Sequence, residues 1–354
     1  MVENALKFKL ENLTYLNELR DPIFFTEFLH ARRTRSEDNV HFVELDKINF
    51  DDIAKKSGVK YPEVYKIYND ATEIVLSDLP EHVVIKPINL ASAHGVYLLS
   101  KQGNKWFDTF TQKKYTEKQI IDSLMQWTKH KPKEDRRIIA QQYIWNDGHG
   151  NISIPCDYKL YTFGDKIPFI SKVDRNNGSV LSFYGEDFSD FDFKRNFATH
   201  LPKFTKKHVV TEKPKRYKEL LELARKVSNY MKDPFMRIDC YSDGEEVYLG
   251  EVTPCPGGPY YGSQFAFSYD FDKQLGDLWN EELQRLNLPK PKVLGYPPVI
   301  LDIRDVIKVQ KENERLRKIY NNVGFIIDNP LLRAVPFLKK KLYFLKPFYK
   351  RIFR

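Results

Sequence analysis

The residues best suited to chemistry lie between Phe235 and Gly258. This stretch reads Phe-Met-Arg-Ile-Asp-Cys-Tyr-Ser-Asp-Gly-Glu-Glu-Val-Tyr-Leu-Gly-Glu-Val-Thr-Pro-Cys-Pro-Gly-Gly. Side chains alternate along a strand, so Arg237, Asp239 and Tyr241 share one face and Met236, Ile238 and Cys240 the other. On a second strand Leu249, Glu251 and Thr253 share a face, opposite Gly250 and Val252. A hairpin turning near Asp243-Gly244 brings the polar rows together, and one register sets Glu251 opposite Arg237 and diagonal to Asp239. Diagonal neighbours lie ~7–8 Å apart. Two carboxylates this close repel unless a hard cation lies between them. Mg²⁺ commonly takes one or two carboxylates plus nucleotide phosphates.

A second element is Val83-Val-Ile-Lys-Pro87, followed by the loop Asn89-Leu-Ala-Ser-Ala-His-Gly95. Lys86, ending an apolar strand, suits a point-charge contact to phosphate. The loop amides around Ser92 and Gly95 suit the remaining phosphate oxygens. The loop has a single glycine, so it is not a Walker A sequence. A third element, Ile138-Ile-Ala-Gln-Gln-Tyr-Ile144, is an apolar strand running into a linker whose backbone suits an adenine edge.

These elements need a scaffold. Strands are expected at 83–87, 96–99, 137–144, 159–163, 167–173, 235–241 and 246–252. Helices are expected in the first 45 residues, at 116–130 with Ile120, Ile121, Leu124 and Trp127 on one face, at 217–231, and at 302–320. Residues 174–215 read as a long polar loop. Mixed strands and helices imply an α+β or α/β fold. The chain has 354 residues, 42% hydrophobic and 14% aromatic, enough for a sizeable core and unlike a disordered chain. Three cysteines without paired spacing form neither a disulfide framework nor a zinc site, and a reducing cytoplasm is the simplest compartment. No signal peptide and no transmembrane run is legible.

Charge is concentrated at one end. The net charge is +9, and residues 331–354 hold eight basic side chains and no acidic one. The other 330 residues carry +1, which argues against nucleic acid as a partner. The tail interleaves its lysines with Phe337, Leu338, Leu342, Tyr343, Phe344, Phe348 and Tyr349, a mixture that suits an anionic membrane surface.

Taken in order, the pieces resemble the ATP-grasp superfamily, and within it the teichuronopeptide-biosynthesis (TupA-like) branch. The resemblance rests on Asp46-Lys47, Val84-Ile-Lys-Pro87, Gln141-Gln-Tyr-Ile144, Asp157-Tyr-Lys-Leu-Tyr161, Arg237-Ile-Asp239 and Gly250-Glu-Val-Thr253 with Pro256-Gly-Gly258. It implies an α+β ATP-grasp fold, two subdomains clasping ATP. The expected order is an N-terminal α/β region over 1–78, a lid over 79–145, a metal-bearing subdomain over 146–290, a surface helix over 291–330 and a helical basic tail over 331–354. It implies that Lys47 and Lys86 contact phosphate, that Gln141, Gln142, Tyr143 and Ile144 line adenine, and that Ser92, Gly95, Asp157 and Leu249 also lie at the nucleotide. It implies Mg²⁺ held by Asp239, Glu251 and Thr253, Arg237 on the transferring phosphoryl group, and Lys159 near phosphate or substrate. Thr253 stands where the family usually has asparagine. The implied activity is ATP-dependent ligation of a carboxylate-bearing sugar or amino acid to an amine through an acyl phosphate, in surface-polysaccharide synthesis; the alternatives are an ATP-dependent phosphotransferase acting on a sugar or acid, and a non-catalytic protein that binds a membrane surface.

Overall fold

The computed structural model describes residues 19–33, 49–90, 93–145, 153–176, 178–197, 211–256 and 267–294. All belong to the first of two compact units, 1–300 and 301–354. Lys47, Ser92, the first 18 residues of the helical stretch expected at the N-terminus, the helix expected over 302–320, and the basic tail lie outside the described residues, and Leu19 lies in a strand.

In chain order the elements are β1 (Leu19–Arg20), α1 (Phe25–Arg33), α2 (Phe50–Ser57), β2 (Val64–Tyr68), β3 (His82–Pro87), β4 (Tyr97–Gln102), β5 (Lys105–Asp108), β6 (Lys113–Tyr115), α3 (Glu117–Thr128), β7 (Ile138–Gln142), β8 (Asp157–Phe163), β9 (Lys166–Asp174), β10 (Val180–Tyr184), α4 (Phe193–Asn196), α5 (Tyr217–Met231), β11 (Met236–Ser242), β12 (Val247–Thr253), α6 (Tyr269–Arg285) and β13 (Val293–Leu294). They form two main antiparallel sheets. One has the order β2-β7-β3-β4-β5-β6 and the other β10-β9-β8-β11-β12. β1 pairs separately with β13.

The six-stranded sheet is covered on one face by α3. Strand β3 alternates half-buried and buried residues, so Val83 and Ile85 face Ile120 and Leu124 of the helix. Thr116 and Gln119 close a reciprocal capping box that starts α3. Trp127 departs from the expected apolar face. It is 45% exposed, because the buried stripe runs through Ile120, Leu124 and Thr128, and its ring stacks on His94 instead. The sheet takes in β2, so it begins before the boundary expected at residue 79.

The five-stranded sheet packs Leu220, Leu223, Ala224 and Val227 of α5 against Leu160, Met236, Ile238 and Cys240, with Phe50 and Ile53 of α2 joining them. Its opposite face is divided. One end is sealed by an aromatic cluster in which Phe25 meets Phe235 edge-on at 4.8 Å and Phe28 stacks on Trp279 at 5.0 Å. Each such ring, fully buried, contributes ~1.5–3 kcal/mol. The other end stays polar. The expected long loop contains β10 and the short α4.

α1 is fastened to the sheet by Arg32, which is fully buried. Its guanidinium pairs with Asp233 at 2.8 Å, donates to the Phe235 and Pro254 carbonyls at 2.9 Å each, and lies 4.4 Å over the Trp279 ring. α1 meets α6 through Asp272, whose carboxylate accepts from Thr26 N at 3.0 Å and Thr26 Oγ1 at 2.6 Å. Burial pushes the Asp272 carboxyl up to about 6 despite these bonds. The folded chain therefore keeps a proton that the unfolded chain releases near pH 4. Stability falls as pH rises from about 4 to about 6. Asp272→Asn is expected to remove that slope, read as urea unfolding at half-unit pH steps. Parallel profiles for wild type and variant would contradict the assignment.

Candidate functional site

The polar end of the five-stranded sheet carries a compact ionic cluster. Strand β11 lies between β8 and β12, so Asp239 sits opposite Lys159 on one side and Glu251 on the other. Arg237 sits opposite Tyr161 and Thr253. This corrects the expected register, in which Glu251 faced Arg237. A bulge between Asp239 and Cys240 shifts β12 by one residue at Gly250. The alternation fails there, and Leu249 turns away from Glu251 into the α5-covered core with Cys240, where it is fully buried. Gly250 is required by close approach. A Cβ there would stand 2.7 Å from the Tyr241 ring and 3.0 Å from the Asp239 carbonyl oxygen.

Within the cluster, Arg237 grips Asp239 through two bonds, Nε to Oδ1 at 2.6 Å and a terminal nitrogen to Oδ2 at 2.8 Å. Lys159 Nζ reaches Asp239 Oδ2 at 2.5 Å and Asp157 Oδ2 at 2.7 Å. Arg175 approaches Asp157 at 3.4 Å. Thr253 Oγ1 accepts from Arg237 and donates to Glu251 Oε1, each at 3.1 Å. Three anions, Asp157, Asp239 and Glu251, thus stand against three cations, Lys159, Arg175 and Arg237.

Burial shapes the protonation. It pushes the Asp239 carboxyl up against the pull of Arg237 and Lys159, with Asp157 and Glu251 adding to the rise. Against the same burial, Lys159 and Arg175 hold Asp157 low. Lys159 and Arg237 both stay charged. Desolvation is outweighed by Asp157 and Asp239 for the lysine, and by Asp239 first for the arginine. The cluster therefore keeps fixed cations at neutral pH.

The six-stranded sheet offers a second set on the face away from α3. Cross-strand pairing puts Lys86 opposite Ile139 and Val84 opposite Gln141, so Lys86 and Gln141 share that face. Gln141 is 4% exposed, yet its Oε1 has no hydrogen-bond partner among the described residues. Tyr143 is buried with Leu98 and Ile154, and its hydroxyl donates to the Ser153 carbonyl at 3.2 Å. Ile144 is 4% exposed. Gly95, with φ +70°, packs on Pro87 and Trp127 at the end of its loop.

A backbone bond ties the two sheets' strands together: Leu249 N on β12 donates at 2.8 Å to the carbonyl of Lys60, in the segment that leads into β2, while Gln142 N donates at 2.8 Å to the Glu63 carbonyl and extends the β2–β7 ladder. Arg175 was not among the expected site residues, and Tyr241 was expected only to share the face of Arg237 and Asp239. A basic residue just past the end of β9, and an aromatic two places beyond Asp239, were the signals for them.

The donor set fits a magnesium nucleotide. Asp239, Glu251 and Thr253 offer hard oxygens, and directly paired residues lie only ~4.5–5.5 Å apart at Cα. Asp157 Oδ1 and Gln141 Oε1 are buried and lack partners among the described residues, as groups awaiting a ligand would be. No three His, Cys, Asp or Glu side chains group there as a metal cage among the described residues. A groove of about 860 Å³ lined by Lys56, Asp187, Tyr217 and Arg225 lies against α5, on the opposite face of the sheet.

A protein-family model described as TupA-like ATPgrasp matches residues 30–280. The chain belongs to the TupA-like ATP-grasp family. Its fold is accordingly the ATP-grasp fold, α+β with two antiparallel sheets. Among curated proteins none matches the chain. Similar solved structures include the ATP-grasp ligase PsnB complexed with minimal precursor, at 8% identity and TM-score 0.38, over 68% of this chain and 60% of that one. D-alanine–D-alanine ligase from Helicobacter pylori is 17% identical with TM-score 0.36, over 70% of this chain and 59% of that one. The Bacillus anthracis enzyme complexed with ATP is 16% identical with TM-score 0.40, over 68% and 67%. This chain thus spans about 60% of the length of the first two. No helix among the described residues is long and apolar enough to cross a membrane.

Proposed function

We propose that this TupA-like protein is an ATP- and Mg²⁺-dependent ligase that joins a carboxylate to an amine through an acyl phosphate. The observation that carries the reading is the Arg237–Asp239–Lys159 cluster, paired across strands with Glu251 and Thr253. A carboxylate does not condense with an amine in neutral water, because hydroxide is a poor leaving group. In the proposed reaction a carboxylate oxygen attacks the γ-phosphorus, the bond to the β-phosphate oxygen breaks and ADP leaves. The amine nitrogen then attacks the acyl carbon, phosphate leaves with the former carboxylate oxygen, and the nitrogen gives up a proton.

The residues suit these steps. When bound, Mg²⁺ would be held by Asp239, Glu251 and Thr253 and would neutralise phosphate charge. Arg237 and Lys159 lie on Asp239 in this structure. A triphosphate offers both cations a second anionic partner, and fixed positive charge aimed at the transferring group is the main catalytic device for phosphoryl transfer. Lys86, on the lid-sheet face, would hold phosphate. Lys86→Ala is expected to raise the KM for ATP about tenfold with a smaller change in kcat. The reverse pattern, kcat lost at constant KM, would place Lys86 in the chemical step instead.

The acceptor is proposed to be a uronic acid or amino acid of a surface polysaccharide, and the tail over 331–354 to hold the protein at an anionic membrane face. Vesicle sedimentation compares the full chain with a 1–330 truncation, the truncation being expected to lose its preference for anionic lipid. Equal binding by both removes the role given to the tail. The activity is tested by ADP release from Mg-ATP across panels of uronic acids, amino acids and amines. Release should require both partners, and release on a carboxylate or sugar alone with stable product phosphorylation would indicate a phosphotransferase.

A further inference from the structure

We infer that the groove along α5 is a second binding site, and that its occupant is an acidic polysaccharide chain, held across the five-stranded sheet from the ionic cluster. The polymer is taken from the acceptor class proposed above. The inference therefore rests on that reading and extends it from a reacting group to a chain.

The groove has a volume of about 860 Å³ and follows the outer face of α5. Tyr217, Leu221, Arg225 and Asn229 recur along it at every fourth residue, and the lining from Tyr217 to Tyr230 spans ~20 Å of helix. Lys56 at the end of α2 borders it, as do Asp165 in the turn between β8 and β9 and Asp187.

Its polar groups are fixed in place. Arg225 Nε donates to the Asp165 carbonyl at 3.0 Å, and a terminal nitrogen meets Asp187 Oδ1 at 3.3 Å. Asn229 Nδ2 donates to Asp165 Oδ1 at 2.6 Å. Asp187 and Phe188 have φ of +55° and +56°, a conformation that non-glycine residues rarely adopt in succession. Phe188 is buried in the core beneath α5, while Asp187 stays 64% exposed. An exposed ion pair adds little to stability. Fold stability alone therefore does not account for a strained turn that displays this carboxylate.

The chemistry selects the occupant. Five cations, Lys56, Lys213, Lys218, Arg225 and Lys226, line the groove with three anions, Asp165, Asp187 and Glu222. The interleaved carboxylates would repel a membrane surface or a nucleic acid, each of which requires unbroken positive charge. A sugar hydroxyl both donates and accepts, so carboxylate, amide and guanidinium groups side by side suit it. Tyr230, 38% exposed, offers its ring to the apolar face of a sugar. The surplus of cations answers the carboxylates of acidic sugars. A chain held here raises the effective concentration of its acid groups at the ligase.

Calorimetry on the full chain tests the site with an oligogalacturonate, a neutral malto-oligosaccharide of equal length and inorganic polyphosphate. The oligogalacturonate should bind about tenfold tighter or more than either of the others. Lys218, Lys226 and Tyr230 are exposed, so their variants should fold. Lys218→Glu with Lys226→Glu should weaken the oligogalacturonate about tenfold or more through like-charge repulsion. Tyr230→Ala should weaken it about threefold or more. Turnover on a monomeric uronic acid should be unchanged in these variants, while the KM for the oligomer rises as its affinity falls. Polyphosphate or neutral glycan bound as tightly as oligogalacturonate overturns the acidic sugar chain as occupant. Oligomer binding that survives the groove variants places the polymer elsewhere, such as on the basic tail, and overturns the groove. Ligation of monomers with no oligomer binding overturns the groove while the ligase reading survives. Oligomer binding lost in the groove variants of a chain that ligates no acid upholds the groove and overturns the ligase reading.

Discussion

Asp239→Asn is expected to reduce ligation by about 10³-fold or more while the chain still folds, with a lowered melting temperature. Both effects follow from one position. Asp239 is 2% exposed and accepts from Arg237 twice and from Lys159 once. An amide keeps the shape but not the charge, so two buried cations lose their common anion. Removing one member of a buried ionic set costs about 3–5 kcal/mol when the other is left uncompensated. Lys159 retains Asp157 at 2.7 Å, which softens the loss. Glu251→Gln separates stability from chemistry. Glu251 is only half-buried and accepts from Thr253, so its amide should melt near wild type and still lose turnover by about 10²-fold or more. Steady-state rates together with thermal melts check the pair. Turnover preserved in both variants would remove the metal assignment.

The largest stability effect is expected at Arg32. Arg32→Ala leaves Asp233 buried with no cation, frees the Phe235 and Pro254 carbonyls, and opens space beside Trp279. A loss of about 3–5 kcal/mol follows. The two carbonyls flank β11 and β12, the strands that carry the ionic cluster, so loosening should reach the site. Arg32→Lys keeps the charge but lacks the planar fork that serves three acceptors at once, and should recover only part of the loss. Urea unfolding at neutral pH measures both. A cost below about 1 kcal/mol for Arg32→Ala would show that α1 is held by its aromatic contacts alone.

Much of this site was legible in the chain, for a physical reason. Arg237 and Asp239 alternate with Met236, Ile238 and Cys240 in a pattern that only a strand buried on one face requires, and β11 has that form. Lys86 after Val83-Val84-Ile85 was placed on its strand by the same rule. The alternation rule failed at Gly250. A bulge is a backbone event, and the glycine that permits it leaves no periodic trace, so Glu251 was set opposite Arg237 and Leu249 beside Glu251. α6 was missed because its buried residues are spread among charged ones. β2 was missed because Val-Tyr-Lys-Ile-Tyr gains strand character from pairing with β7, a contact far away in sequence. Arg32 was passed over because its partners, Asp233, Phe235 and Pro254, lie some 200 residues along the chain.

The central claim is a magnesium-nucleotide site at Asp239 and Glu251, and Mg²⁺-dependent ATP binding tests it most directly. Calorimetric titration of ATP into the wild-type chain, with and without Mg²⁺, is compared with the same titrations of Asp239→Asn and Glu251→Gln. Wild type should bind ATP with an affinity that rises at least tenfold on adding Mg²⁺, and both variants should lose that Mg²⁺-linked gain. ATP binding that ignores Mg²⁺, or a Mg²⁺-linked gain retained in full by both variants, would contradict the account.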